Sequence, residues 1–320
     1  MDFERLSREL VRALRGKRSQ WALNRRLGCT SNVTHAWETG ARFPGASDFL
    51  QLLQLSGREP ARVLEEFGIS LKRSASRQRS ALVGAWLQEM RRDNSHTELA
   101  RAIRCNRNTV RRWLDGESEP RLPQLLAFIE ATTHRVLDFV ALCVDPKRLP
   151  SVSAAFDDLQ EQRRLAYDEP WSHAVLRALE LFDYHALPRH ETAFVSRKIG
   201  LSHAETERFL HALARSHQVQ RRRGKWRVRR VLAIDTQQDP AANARLKRQW
   251  ANVALERLGD GKLPPDSLYS YNLFAISEEG LARIREAHLD YYARLRAIVA
   301  ECDRPTRVVL ANIQLVPLGG

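Results

Sequence analysis

The chain has 320 residues, 43% of them hydrophobic and 28% charged, with 15 Gly and 13 Pro. That balance describes a folded, multi-domain protein and excludes collagen-like, wholly disordered and membrane-spanning classes. With 52 basic against 38 acidic residues the net charge is +14, so a polyanion is the default partner. Arg outnumbers Lys 45 to 7, a bias that fits both bidentate phosphate or guanine recognition and a GC-rich coding sequence. No run of about 18 apolar residues exists to span a bilayer. The start, Met1-Asp2-Phe3-Glu4-Arg5, lacks the basic and apolar regions of a secretory signal, so a cytoplasmic location and no membrane partner are expected. The four cysteines, at 29, 105, 143 and 302, form no CxxC pair and have no His at ligand spacing, which argues against disulfides and a metal site.

Sliding the chain by 76 residues superimposes two segments without a gap. Arg15, Ser19, Leu23, Arg25, Cys29, Asn32, Trp37, Gly40, Pro44 and Leu50 fall on Arg91, Ser95, Leu99, Arg101, Cys105, Asn108, Trp113, Gly116, Pro120 and Leu126. Leu10 opposite Trp86 and Leu14 opposite Met90 keep the apolar stripe in register. The same unit occurs twice, over 1–70 and 81–150, around a basic linker at 71–80.

Each copy begins with an amphipathic helix, carried by Leu6, Leu10, Val11 and Leu14 or by Leu82, Val83, Trp86, Leu87 and Met90. Ser19 or Ser95 then suits an N-cap for a second, short helix. After a turn at Leu27-Gly28-Cys29 or Ile103-Arg104-Cys105, a third helix runs to Gly40 or Gly116, with Pro44 or Pro120 beyond. Leu27, Trp37, Ile103, Val110 and Trp113 are the expected small core, and the paired cysteines are expected to pack in the turn. Short helix, turn, short helix and glycine is a helix-turn-helix layout.

The first copy, SQWALNRRLGCTSNVTHAWETGARFP, resembles the Cro/repressor, or XRE-type, helix-turn-helix family. That resemblance implies major-groove reading of duplex DNA. It places Gln20 at a phosphate and outer-base position, Ser31 and Asn32 at base-reading positions, His35 and Ala36 one turn further on, and Arg42 just past the helix. In the second copy, SHTELARAIRCNRNTVRRWLDGESEP, the matching positions are His96, Arg107, Asn108, Arg111 and Arg112. Asn suits adenine and Arg suits guanine. Two positions depart from the family pattern: His96 replaces its Gln, and Thr34 stands where an aliphatic residue such as Val110 is usual. A purely protein-interacting role for these helices stays open. In the linker, Arg73 and Arg79 suit a tether tracking phosphate as well as a solvated connector. By quarters, ending at residues 70, 150, 235 and 320, the net charge is +3, +6, +4 and +1, so the positive potential lies in the first three.

After a connector at 151–170, an amphipathic helix starts at Trp171. Thr192 to Ile199 reads as a short helix, Gly200-Leu201 as a turn, and Ser202-His203-Ala204-Glu205 as a capping box opening a helix to about His217. The alternation from Val219 to Val228, broken at Gly224, reads as a hairpin. Three helices and a basic hairpin over 171–235 predict a winged-helix-like domain, with Arg221, Arg222, Arg223 and Lys225 as DNA-backbone candidates. Glu205 and Glu207 near the start of its third helix count against close phosphate approach.

From 236 on, the pattern predicts a small α+β domain for pairing and effector response. Its elements are a helix over Arg245 to Arg257, a strand at Leu268 to Ile276, and a long helix through Leu281, Ile284, His288, Tyr291, Leu295 and Ile298. A last strand at Arg307 to Pro317 would join a small antiparallel sheet with Leu268 to Ile276 and Trp226 to Ile234. The phrases LELFDYHALPRHE and YSYNLFAIS make the whole order resemble bacterial regulators in which a Cro/repressor-type head precedes a domain of unknown function.

No phosphate loop, dinucleotide fingerprint, HExxH or GxSxG occurs, so no catalytic residue or cofactor is expected. His203-Ala204-Glu205 lacks the downstream PCxxC of a zinc deaminase. The expected fold is mainly α: tandem helix-turn-helix domains, a winged-helix-like domain and the small α+β domain. The expected function is a double-stranded-DNA-binding transcription regulator that forms a homodimer through its carboxyl half, where a protein or small-molecule effector would bind. The alternative is a protein-interaction adaptor or receptor using the helical domains as docking surfaces.

Overall fold

The structure, a computed structural model, describes residues 1–68, 79–91, 94–229, 239–259 and 266–318. It divides into two compact units, Met1–Gln160 and Glu161–Gly320. Arg73 and most of the basic linker lie outside the described residues. The chain is mainly helical.

The first unit is built from five helices and their five counterparts. α1 (Phe3–Arg15), α2 (Gln20–Leu27), α3 (Val33–Thr39), α4 (Ala46–Leu55) and α5 (Pro60–Glu66) are followed by α6 (Arg79–Arg91), α7 (His96–Ile103), α8 (Arg107–Leu114), α9 (Leu122–Thr133) and α10 (Val136–Cys143). Local chemistry fixes the ends. Asp2 accepts from the Arg5 amide at 2.9 Å to open α1, and its buried Ser7, Leu10, Val11 and Leu14 match the buried Val83, Trp86, Leu87 and Met90 of α6, while Leu6, fully buried, matches the half-buried Leu82. Ser19 caps α2, and Ser95 caps α7 in a reciprocal box with Glu98. Trp37, Ile103, Val110 and Trp113 are buried as expected, while Leu27 is half-buried.

The repeat shift explains where the copies differ. Arg8 packs its chain against Gly40, whereas its counterpart Gly84 lies against Gly116; a Cβ at Gly84 would sit 3.0 Å from the Gly116 Cα. Glycine at 84 is what lets α6 approach the end of α8 this closely.

The two copies also meet along one seam. The Ala46 amide donates to the Pro120 carbonyl at 3.0 Å, and the Leu122 amide donates to the Pro44 carbonyl at 2.8 Å, around a bridge between Gly45 and Arg121. Arg58 reaches the Leu142 carbonyl and Arg135 reaches the Phe67 carbonyl. Phe139 fills the seam, its ring 6.0 Å from Phe49, 5.5 Å from Phe67 and 5.8 Å from Trp86. A 3-10 turn at Pro146–Arg148 and α11 (Ser153–Asp168) carry the chain onward.

The second unit has α12 (Trp171–Leu179), α13 (Phe182–Ala186), α14 (Thr192–Ile199) and α15 (His203–Arg215), then β1 (Val219–Arg222) antiparallel to β2 (Lys225–Val228). Arg223 and Gly224 both have positive φ, 48° and 76°, as a two-residue hairpin turn requires. Val175, Leu179, Tyr184, Val195, Leu210 and Leu213 form the core. The fully buried Tyr184 accepts from the Trp226 amide at 3.1 Å and lies 3.0 Å from His190 Nδ1. His190 in turn bonds Thr192, which donates to Glu207. That chain of polar groups ties the hairpin to the helices.

Beyond the hairpin come α16 (Pro240–Leu258) and α17 (Glu278–Ala300). Within the predicted stripe of α16, Val253 is buried, Trp250 packs 5.5 Å from Trp171, and Leu258 is exposed. The expected carboxyl-terminal sheet is corrected: among the described residues, 268–276 and 307–317 contain no strand. Alternating apolar residues need a neighbouring strand to pair with, and these segments are exposed, Leu268 at 98% and Val309 at 80%. Each segment is tied at its start: Tyr269 donates to the Ala254 carbonyl at 3.1 Å, Phe182 donates to the Pro305 carbonyl at 2.7 Å, and Val308 packs on the core.

Candidate nucleic-acid interface

In the first copy, α2 ends at Gly28 with φ 73° and the chain turns into α3, whose N-cap is Asn32. Ser31, Asn32, His35 and Arg42 are exposed. Asn32 Oδ1 is committed, accepting from the His35 amide at 3.3 Å and from Asn24 Nδ2 at 2.9 Å, so the amide NH2 of this exposed residue is the group left to donate. Gln20 is half-buried and donates to Glu38 Oε2 at 2.7 Å. The same carboxylate receives Arg15 at 2.5 Å, while Arg12 donates to the Glu38 carbonyl. The buried Glu38 thus anchors α1, α2 and the end of α3 together.

In the second copy Arg104 adopts the left-handed conformation, φ 61°, that Gly28 has in the first. Asn106 caps α8 by accepting from the Asn108 amide at 2.8 Å. Arg107, Asn108, Arg111 and Arg112 are all exposed on the first two turns of α8. Arg111 lies 3.7 Å from Asp115 and Arg112 lies 3.5 Å from Glu117, both pairs at the surface. Leu114 replaces Glu38, so His96 has no carboxylate to bind and instead lies 3.0 Å from Arg91 Nη1.

The remaining candidates are dispersed. Arg79 starts α6, and its side chain lies outside the described residues, as does all of Arg73. Arg221, Arg222 and Arg223 are exposed on the hairpin; Lys225 is half-buried and donates to the His185 carbonyl at 2.8 Å. Glu205 is turned back onto its own cap, accepting from the Ser202 amide and hydroxyl at 2.9 and 2.6 Å, and Glu207 accepts from Thr192.

Sequence reading missed Trp21, which is 70% exposed on the first turn of α2 with the Arg25 guanidinium 5.7 Å from its ring. An exposed indole beside a cation offers a donor and a flat face to a phosphate or sugar. Its signal was present in the repeat, where Thr97 is the match. Cys29 and Cys105 occupy matching turns, their amides donating to the carbonyls of Asn24 and Ala100, both at 2.9 Å. Burial raises the Cys105 and Cys143 thiol pKa values, which keeps these thiols protonated.

Among the described residues no cluster of His, Cys, Asp or Glu could hold a metal ion, and no helix is long and apolar enough to cross a membrane. The family described as Domain of unknown function (DUF4423) matches residues 151–318, more than half of the chain, and the protein belongs to that family. The domain of unknown function expected in the carboxyl half is therefore present. No curated relative and no solved structure matches the chain.

Proposed function

We propose that the protein is a sequence-specific, double-stranded-DNA-binding transcription regulator of the Cro/repressor type, reading the major groove with α3 and α8. The observation that carries this reading is the start of α8. Four polar side chains, three of them guanidiniums, stand exposed on α8: Arg107 and Asn108 on its first turn, where the backbone dipole is positive, and Arg111 and Arg112 one turn on. Their carboxylate partners are distant surface pairs, worth less than about 1 kcal/mol, so phosphate or guanine edges can displace them. α3 offers shorter side chains at the same positions, with Trp21 and Arg25 beside it.

In the same reading, 171–229 is a winged helix whose Arg222 and Arg223 reach the DNA backbone from the hairpin tip. The carboxyl half joins two chains and takes up a protein or small-molecule effector. Exposed apolar side chains support the pairing, with Leu289 at 68%, Ile298 at 65% and Val299 at 72% along α17.

Selection from a random duplex pool at about 150 mM salt tests the function, because that ionic strength screens nonspecific phosphate attraction. A recurrent motif is expected. Salt-sensitive background without enrichment would overturn the reading in favour of a protein-interaction adaptor.

A further inference from the structure

Three features of the molecule invite a role beyond this reading: the arginine-lined hollow beside α1, the exposed apolar face of α17, and the seam between the two helical copies. The seam is carried furthest by its geometry. We infer that a single chain occupies both halves of its DNA site, with α3 on one half-site and α8 on the other. The operator is then an inverted repeat of two unlike halves with a fixed direction. This rests on the DNA-reading proposal above.

Equivalent residues of the copies exchange bonds. Under the 76-residue shift Pro44 matches Pro120, Gly45 matches Arg121 and Ala46 matches Leu122. Ala46 donates to Pro120 and Leu122 donates to Pro44, so each copy gives the other the bond it receives. A head-to-tail stacking of repeats brings two different surfaces together and cannot produce this reciprocity; a local twofold does. The helix contacts obey the same rule, with α1 against α9 matched by α6 against α4, and α5 against its own counterpart α10. Two arginines also cross the seam, Arg58 to the Leu142 carbonyl and Arg135 to the Phe67 carbonyl, but at positions that the shift does not equate. With Phe49 and Phe139 fully buried there, the seam is part of the core and not a transient encounter.

Any operation that relates the copies also relates α3 to α8. Their N-terminal turns are therefore presented in inverted orientation, the arrangement that a duplex offers across its own dyad. The symmetry is of the helix arrangement and not of the side chains or the helix starts, since α8 begins at Arg107, the match of Ser31, and α3 two positions later at Val33. Ser31, His35 and Ala36 of the first copy match Arg107, Arg111 and Arg112 of the second, and only Asn32 and Asn108 are alike. The half facing α8 should carry guanines for its arginines; the half facing α3 should not.

The full-length protein is tested by selecting duplexes, then repeating the selection with the triple variant Ser31→Arg, His35→Arg and Ala36→Arg. Two of the three changed side chains are exposed and Ala36 is half-buried, and a thermal melt checks that the fold is retained. The wild type is expected to enrich two unlike inverted halves, centred about one helical turn apart. The variant is expected to convert the α3 half to the α8 half, giving a near-perfect palindrome. Arg107→Ala with Arg111→Ala should cost about tenfold or more on the α8 half and leave the other half's preference unchanged. Each chain of a dimer would take one such operator, so a wild-type motif whose smallest unit is a single half-site, a direct repeat or two identical inverted halves would overturn the single-chain arrangement while DNA reading stands. No enriched motif at all would instead remove the DNA-reading proposal beneath it.

Discussion

Asn24 and Thr34 form a buried polar pair: Asn24 Oδ1 accepts both the Thr34 amide at 3.0 Å and its hydroxyl at 2.6 Å, and Thr34 is fully buried. In the second copy the matching residues are Ala100 and Val110, both buried and apolar. The departure of Thr34 from the expected aliphatic residue is thus one half of a two-residue exchange between α2 and α3.

The two halves are expected to be coupled. Thr34→Val removes one of the two donors to Asn24 Oδ1, which keeps the residue 34 amide, and should destabilise the first unit by about 0.5–1.5 kcal/mol. Adding Asn24→Ala takes the acceptor from the residue 34 amide as well, whereas the Val110 amide of the second copy donates to the Asn106 carbonyl, so the double variant should fall short of the native pair while losing less than the two single changes summed. Denaturant melts of the two single variants and the double variant measure the coupling; strictly additive losses would contradict it.

Base and backbone contacts should separate under mutation. Arg107→Ala or Arg112→Ala is expected to relax the preference at one base position by about 1–3 kcal/mol. Arg79→Ala, at the start of α6, should weaken binding to all sequences alike and reduce the salt slope by about one. Binding isotherms over a range of salt distinguish the two; an unchanged slope would rule out the phosphate contact.

His173 sets a pH dependence. Desolvation in the helical core, with Arg177 adding like charge, pushes its pKa down to about 4. It is neutral in the fold but titrates near 6.5 when unfolded, so the unfolded chain binds the extra proton as pH falls. Stability should be level above about pH 6.5, decline between about 6.5 and 4, and lose at most about 3 kcal/mol from this group. His190 is shifted down by burial in the same sense. The variant His173→Gln should show a shallower decline in thermal melts across that window, and an identical slope would refute the assignment.

Pairing through α17 is open to a direct test. Leu281, Ile284, His288, Tyr291, Leu295 and Ile298 recur at alternating three- and four-residue spacing, and Leu289 and Val299 widen the apolar face to about half of the helix circumference. Sedimentation at micromolar concentration is expected to give a dimer, and Leu289→Asp with Ile298→Asp a monomer. A monomeric wild type would remove the homodimer.

Much of the architecture was legible because it is local. The 76-residue shift, the serine caps at Ser19 and Ser95, the capping box at Ser202 and Glu205 and the turn at Gly224 depend on neighbours within a few residues, and the elements they bound stand close to their expected positions. The bias of exposed arginines toward the second copy was equally readable from the aligned repeat. Residue spacing along the chain could not show that Gln20 would be drawn onto Glu38, since that bond joins residues 18 apart and depends on how α2 and α3 cross. The alternation at 268–276 promised a strand, but a strand exists only with a partner to receive its hydrogen bonds. The sequence by itself determined that one helical unit occurs twice and which side chains each copy carries. Only the tertiary structure decided that the copies face each other through Pro44 and Pro120, because reciprocal bonds between such distant residues of the two copies are a property of packing that no local pattern encodes.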